Sequence, residues 1–115
     1  MSLYDDFIAD DTAPLIFANS EGAITNVNRS FEETFRWPAK LIVGEPLSAI
    51  IPKDLRDAHN MGFSRYIFTG LSTVLDTPLN LKIQCGDGEI IIAEHHIIAG
   101  EKDGEKILAA RIIIR

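Results

Sequence analysis

The clearest periodic pattern in the chain runs from Lys53 to about Thr69. Apolar and small residues, with one histidine, recur there at steps of three and four, at Leu55, Ala58, His59, Gly62, Phe63, Tyr66 and Ile67. This spacing is typical of one face of an α-helix. Gly70 follows at the position where a helix commonly ends on glycine. The pattern predicts a long helix with His59 in the middle of the face that turns towards the core.

After Gly70 the period of the pattern changes to two. Apolar residues alternate with polar ones from Leu79 to Ile83, which is typical of a half-buried strand. Glycine-rich turns at 86–88 and 100–104 separate this segment from two further apolar stretches, at 90–99 and 107–114. The second half of the chain therefore predicts three strands joined by two turns.

Two short strands, 15–18 and 23–27, flank a turn of polar and small residues and predict a hairpin near the start of the chain. Asn28 follows as a candidate helix N-cap, with Phe31 and Phe35 four residues apart behind it. Prolines and a glycine between positions 38 and 52 allow only short helical turns there. The order of elements is thus strand, strand, several helices and three strands, which is the pattern of an α+β domain.

Composition narrows the functional classes. The chain has 115 residues and a formal charge of −6, which describes one compact acidic domain and argues against nucleic-acid binding. No apolar run approaches the roughly 20 residues of a membrane-spanning helix, so direct membrane insertion is not expected. The lone cysteine, Cys85, cannot form an internal disulfide and suits the reducing cytoplasm. Met1–Leu3 is interpreted as a start residue with cloning residues.

Catalytic and metal-binding patterns are missing from the sequence. There is no phosphate-binding glycine loop, no nucleophile elbow and no paired cysteine. His95 and His96 are neighbours on a predicted strand, so their side chains point to opposite faces and do not chelate one ion. The sequence therefore predicts a protein that is not an enzyme and holds no metal cluster.

The ordered set of motifs resembles the PAS sensory domain over nearly the whole chain. The likeness rests on Gly22-Ala-Ile after the first turn, Asn28 before the two phenylalanines, Gly44, the segment 51–56 that opens the long helix, and Asp87-Gly88. It implies a five-stranded antiparallel sheet of order 2-1-5-4-3, covered on one face by helices. Residues 1–12 would then be an N-terminal cap segment and 13–115 the PAS domain. Arg36 departs from the family pattern, which has glycine near that position.

The resemblance also implies a function. PAS domains usually sense a small molecule, bind a cofactor or pair subunits inside a larger signalling protein, such as a sensor histidine kinase or a cyclic-dinucleotide enzyme. Relatives often continue beyond the position of Arg115 into an output domain, so an effector domain is expected there. The alternative is an interaction module that dimerises and binds nothing small.

A ligand pocket is expected between the long helix and the sheet. By resemblance, Ile91, Ala93, His95 and Ile97 face the helices, although a register slip of one residue would exchange the two faces of that strand. The expected pocket residues are His59, Phe63, Tyr66, Leu79, Leu81, His95 and Ile97. An apolar pocket with a few convergent polar groups is a typical ligand site. A core in which the same side chains fill all the space is the alternative.

Two cofactors known in the family are weighed against these residues. Haem-binding PAS domains place their iron-ligating histidine on the long helix, and the segment from Pro52 to His59 is similar to theirs, so His59 is a possible haem ligand. Leu79 matches the position at which haem relatives often carry an arginine. Flavin-adduct relatives carry a reactive cysteine in the segment that matches 44–51, where this chain has none. A hydrogen-bonding histidine without haem is the favoured interpretation.

The opposite face of the sheet predicts a homodimer interface. Its expected residues are Phe7 from the N-terminal segment with Ile92, Ile98, Ile112 and Ile114. An exposed apolar strip of this kind usually marks an interaction surface, and PAS relatives pair through this face. The alternative is that the segment 4–12 alone covers the strip.

Overall fold

A computed structural model describes the backbone of residues 3–69 and 77–115. The helices are α1 (Leu3–Ile8), α2 (Arg29–Phe35), α3 (Ala39–Ile42) and α4 (Arg56–Thr69), with 3-10 turns at Leu47–Ile50 and Lys53–Leu55. The strands are β1 (Leu15–Ala18), β2 (Ile24–Val27), β3 (Leu79–Gln84), β4 (Ile90–Lys102) and β5 (Glu105–Ile113).

The five strands form one antiparallel sheet of order β2-β1-β5-β4-β3, which confirms the predicted fold class and strand order. The longest strand pairing joins β4 to β5. The turn between these two strands is shorter than the turn predicted over residues 100–104. Gly100 still pairs with Ile107, and only Asp103 and Gly104 make the turn. Both have positive φ, of 53° and 80°, which matches the right-handed twist of a tight hairpin.

Helices α2, α3 and α4 cover one face of the sheet. The main core lies beneath α2 and α3, where Phe31, Phe35 and Ile42 are fully buried in a cluster with residues from all five strands. Asn28 begins α2 as predicted. Its side-chain Oδ1 accepts hydrogen bonds from the backbone N–H of Phe31 and of Leu15, each 2.9 Å long. One side chain therefore caps the helix and ties it to β1.

The other face of the sheet carries α1. Phe7 and Ile98 are buried against each other in a small cluster with Leu15 and Ala109. The Phe7 ring lies 4.4 Å from the guanidinium carbon of Arg111, and its centroid is 5.1 Å from that of His96 in an edge-on arrangement. A helix of six residues has little stability of its own, so α1 depends on these contacts with the sheet.

The unusual Arg36 takes the left-handed conformation, with φ 59° and ψ 37°, at the end of α2. A glycine adopts this conformation without strain. In this chain an arginine takes the strained conformation, and its guanidinium forms ion pairs with Asp87, at 2.8 Å, and with Glu89. These ion pairs offset part of the cost of the left-handed backbone. The end of α2 is thereby held against the turn that joins β3 to β4.

Helix α4 follows the 3-10 turn at Lys53–Leu55, so helical structure covers the predicted range 53–69. Leu55 is 40% exposed rather than directed at the core, because it lies in the tighter 3-10 turn and leaves the regular helical face. Gly70, expected to end the helix, and the side chain of Ile67 lie outside the described residues. Within the described ranges, no helix is long and apolar enough to cross a membrane.

The close approach at Gly86 generates the first prediction. A Cβ at Gly86 would lie 1.8 Å from the carbonyl oxygen of Arg36, and the Gly86 N–H donates a 2.9 Å hydrogen bond to the carbonyl of Phe35. We expect Gly86→Ala to lower the free energy of unfolding by ~2–4 kcal/mol, because the backbone at Arg36 or at residue 86 would have to move to make room for the methyl group. Urea denaturation measures this change.

Gly62 in α4 is the matched control, since nothing lies within 4 Å of a Cβ built there. Gly62→Ala should raise stability by ~0.5–1 kcal/mol through helix propensity. Equal changes in the free energy of unfolding for the two substitutions would show that the end of α2 is not in close contact with the β3–β4 turn.

Candidate functional site

A cavity of about 510 Å³ lies between α4 and the covered face of the sheet. This volume falls within the range of about 300–1,000 Å³ that is typical of small-molecule sites. The wall is mostly hydrocarbon, with residues from α4, from the 3-10 turn at Leu47–Ile50 and from strands β1, β3, β4 and β5. An apolar molecule of moderate size can therefore be enclosed here.

The structure brings six of the seven expected pocket residues together. Helix α4 supplies His59, Phe63 and Tyr66, and the sheet supplies Leu81, His95 and Ile97. Leu79 is the exception. It is the first residue of the edge strand and, although it pairs with His95 across the sheet, it is not part of the lining among the described residues.

Several lining residues were not expected from the sequence. They include Ile16 and Ala18 on β1, Leu47 and Ile50 in the 3-10 turn, Ala58 and Gly62 on α4, and Leu108, Ala110 and Ile112 on β5. The strand residues alternate along β1 and β5, so a period of two combined with the strand order would have placed them on the same face as His95. The residues of the 3-10 turn carry no such signal.

His95 is the buried polar group of the cavity, with 5% of its surface exposed. Its Nδ1 lies 3.0 Å from the carbonyl oxygen of Ala93 on the same strand. A carbonyl only accepts hydrogen bonds, so Nδ1 carries the proton and donates. Nε2 is buried and has no hydrogen-bond partner among the residues that the structure describes. Burial lowers the pKa of His95, so the ring is neutral near pH 7 and Nε2 is a free acceptor.

His59 lies across the cavity on α4 and is only partly buried. Its ring is nearly parallel to that of Phe63, with centroids 6.5 Å apart. Its Nδ1 is 3.5 Å from the side-chain oxygen of the exposed Asn60, which is a long and weak contact. Burial lowers the pKa of His59 as well, and the contact with Asn60 opposes this shift. His59 therefore forms a semi-exposed wall of the site.

These surroundings do not fit His59 as a haem ligand. An iron-ligating histidine normally donates its second ring N–H firmly to a carboxylate or a backbone carbonyl, which fixes the ring. His95 has such a carbonyl partner, whereas His59 has only the long contact with the Asn60 side chain. His59 therefore lacks the ring-fixing partner that haem ligation calls for.

Cys85, Asp87 and Glu89 form one group of potential metal ligands in the described part of the chain, with atoms within 4.8 Å of one another. The Arg36 guanidinium pairs with both carboxylates and already supplies the positive charge. Burial is the main cause that raises the pKa of the Cys85 thiol, which keeps it protonated. The group is a structural ion-pair cluster beside an inert thiol.

The expected dimer residues lie in three different environments. Phe7 and Ile98 are buried against each other, so α1 covers this part of the outer face as the alternative proposed. Ile112 was placed wrongly: it is fully buried in the main core, because it pairs with His95 and shares its face. Ile92 and Ile114 remain 63% and 49% exposed.

Comparison with known proteins adds one relative and many structures. No protein-family model matches the chain. An uncharacterized protein of Azorhizobium caulinodans is 27% identical over 97 residues, which cover 84% of this chain and 13% of that protein. The chain therefore corresponds to a small part of the longer relative.

Solved structures of PAS domains superpose closely on the chain. The PAS domain of nitrogen regulation protein NR(II) from Vibrio parahaemolyticus has a TM-score of 0.65 at 18% identity, covering 99% of this chain and all of that one. A PAS domain from a two-component sensor histidine kinase has a TM-score of 0.65 at 10% identity, covering 95% and 90%. A PAS-B variant of Drosophila melanogaster Cycle, with bound glycerol, has a TM-score of 0.68 at 10% identity, covering 89% and 99%. The chain has the PAS fold.

The buried imidazoles generate a prediction for the pH dependence of stability. His95 and His59 have folded-state pKa values below the ordinary 6.5, so the unfolded chain binds more protons as the pH falls. Stability should be level above pH 7 and should decrease as the pH falls below about 6.5. Urea denaturation between pH 7.5 and 5.5 measures this decrease.

The variant His95→Gln removes one titrating group and retains a polar side chain. The decrease of stability over that pH range should become smaller in this variant than in the wild type. An unchanged decrease would show that His95 is not buried in its neutral form.

Proposed function

We propose that this chain, which has the PAS fold, is a sensory input module that binds a small molecule in the cavity between α4 and the sheet. The observation that carries the proposal is a cavity of about 510 Å³ whose apolar wall contains a buried imidazole, one nitrogen of which has no hydrogen-bond partner in the described part of the chain. A core packed solely for stability would leave neither the space nor the unsatisfied acceptor. We therefore favour ligand binding over a solid core.

We further propose that the module acts within a longer signal-transduction protein. The relative from Azorhizobium is much longer than the matched segment, and the structural neighbours include a PAS domain from a sensor histidine kinase. An effector domain beyond Arg115 would read the state of the cavity. A cytoplasmic location agrees with the lone, reduced Cys85.

Catalysis is not part of the proposal. The polar side chains of the described lining are two imidazoles, a tyrosine, an arginine and a lysine, without a carboxylate or a thiol. The described lining thus lacks the serine, threonine or cysteine nucleophile and the carboxylate that most hydrolytic and group-transfer sites use. Binding and release of a molecule is the chemistry that this lining supports.

Native mass spectrometry of the purified chain tests the function. We expect a noncovalent adduct of a small organic molecule on the wild type. Ala110 lines the cavity from β5, and Ala110→Leu adds volume inside it. The adduct should be lost in Ala110→Leu and kept in Met61→Ala, because Met61 is 74% exposed on α4 and does not belong to the described lining.

An adduct of equal abundance in wild type and Ala110→Leu would place the binding site elsewhere. A wild type without an adduct, whose melting temperature is also unchanged across a library of small apolar molecules, would contradict the proposal.

Haem binding is tested by the absorption spectrum of the chain after incubation with haem. We expect no Soret band. A Soret band in the wild type that disappears in His59→Ala would restore the interpretation of His59 as a haem ligand.

Homodimerisation through the outer face of the sheet is the second proposal. Ile92 on β4 is 63% exposed and Ile90 on the same strand is 50% exposed, beside the surface that α1 covers. Two adjacent large aliphatic side chains in water favour a self-complementary contact. This surface lies on the opposite side of the sheet from the cavity, so dimerisation and ligand binding are compatible.

Ile92→Asp should raise the dimer dissociation constant by about 100-fold or more, because a carboxylate would be buried at the interface. Sedimentation equilibrium measures the constant. Met61→Asp on α4, where Met61 is 74% exposed, is the control and should leave it unchanged. Ile98→Asp is unsuitable, since Ile98 is buried beneath Phe7. A monomeric wild type at millimolar concentration would contradict this proposal.

A further inference from the structure

We infer that the cavity selects molecules with an apolar body and one hydroxyl or N–H group, and that this group donates a hydrogen bond to Nε2 of His95. The inference rests on the proposed ligand-binding function and adds the chemical class of the ligand. The observation behind it is that His95 is 95% buried, lines the cavity and has one nitrogen without a partner in the described ranges 3–69 and 77–115.

The hydrogen-bonding role of Nε2 follows from the other side of the ring. Nδ1 lies 3.0 Å from the Ala93 carbonyl oxygen, which can only accept a hydrogen bond. Nδ1 must therefore carry the proton and donate it to this oxygen. A neutral imidazole has only one N–H, so Nε2 presents a lone pair. The complementary ligand group is a donor, such as an alcohol, a phenol, an indole or a primary amide.

The shape and lining of the cavity define the rest of the ligand. Ile97, Leu108 and Ile112 belong to a wall made mostly of aliphatic carbon. A buried water is held by about three hydrogen bonds, so water alone satisfies Nε2 poorly in such a wall. A molecule that fills the apolar volume and offers one donor satisfies both parts of the site.

An anionic ligand is the competing class. Arg65 lines the cavity and carries a positive charge, but it already interacts with other groups of the chain. A carboxylate placed against Nε2 would set two acceptors against each other unless His95 became protonated, and burial opposes protonation. The experiment therefore includes an anion on the same ring system.

Three probes with one naphthalene ring separate these classes: 2-naphthol, 2-methylnaphthalene and 2-naphthoate. Dissociation constants are measured by ¹H–¹⁵N NMR titration for the wild type, His95→Phe and His95→Gln. The selectivity is the ratio of the constant for 2-methylnaphthalene to that for 2-naphthol. Each ratio compares two probes on the same protein, so changes in stability or cavity volume largely cancel.

We expect the selectivity for 2-naphthol to fall about tenfold in His95→Phe, which removes the acceptor. His95→Gln should retain most of it, because the amide oxygen can accept in place of Nε2. Binding of all neutral probes with the same selectivity in wild type and His95→Phe would overturn the inference and leave the proposed function intact. Tighter binding of 2-naphthoate than of 2-naphthol would also overturn it.

Absence of binding by all three probes to the wild type would overturn the inference together with the cavity-binding function. A second measurement needs no variant. Long-range ¹H–¹⁵N correlation of the histidine rings should show His95 protonated at Nδ1, and the ¹⁵N resonance of Nε2 should shift when 2-naphthol is added. Protonation at Nε2 in the ligand-free protein would contradict the inference directly.

Discussion

The pairing register of β4 is the constraint on which both faces of the sheet depend. Its neighbours, β3 and β5, set Leu79 and Ile112 opposite His95, and this turns His95 towards α4. The next residue, His96, then faces the opposite side and contacts Phe7 of α1. A slip of one residue would exchange the faces of the two histidines and would also turn the Glu94 carboxylate towards the covered, apolar face. The long pairing with β5 makes such a slip costly.

The two faces then serve different purposes. The covered face is densely packed under α2 and α3, whereas the region under α4 retains the cavity. The outer face is closed by α1 through Phe7, whose ring lies between Arg111 and His96.

Much of the fold follows from the sequence, because each element carries its own local signal. The steps of three and four around His59 predict α4, the alternation after Leu79 predicts β3, and Asn28 marks the start of α2. Long strands are harder: Gly100 resembles a turn residue, yet it pairs within the β4–β5 hairpin. Local composition cannot show that pairing, since it depends on the partner strand.

The site was predictable where periodicity defines a face and unpredictable where it does not. Ile112, Ile113 and Ile114 are three consecutive isoleucines, so alternation gives no face, and Ile112 was assigned to the wrong side. Leu79 has the correct alternation but lies at the end of an edge strand, which only tertiary structure shows. The burial of Ile98 by Phe7 is a contact between distant segments, and the sequence left that alternative open.

A high-resolution crystal structure of the purified chain would show directly whether the cavity holds a ligand against His95. We expect electron density for a bound organic molecule in the cavity, with one of its atoms about 2.7–3.2 Å from Nε2 of His95. A cavity closed by inward movement of α4, with Nε2 hydrogen-bonded to a group of the protein itself, would contradict this expectation.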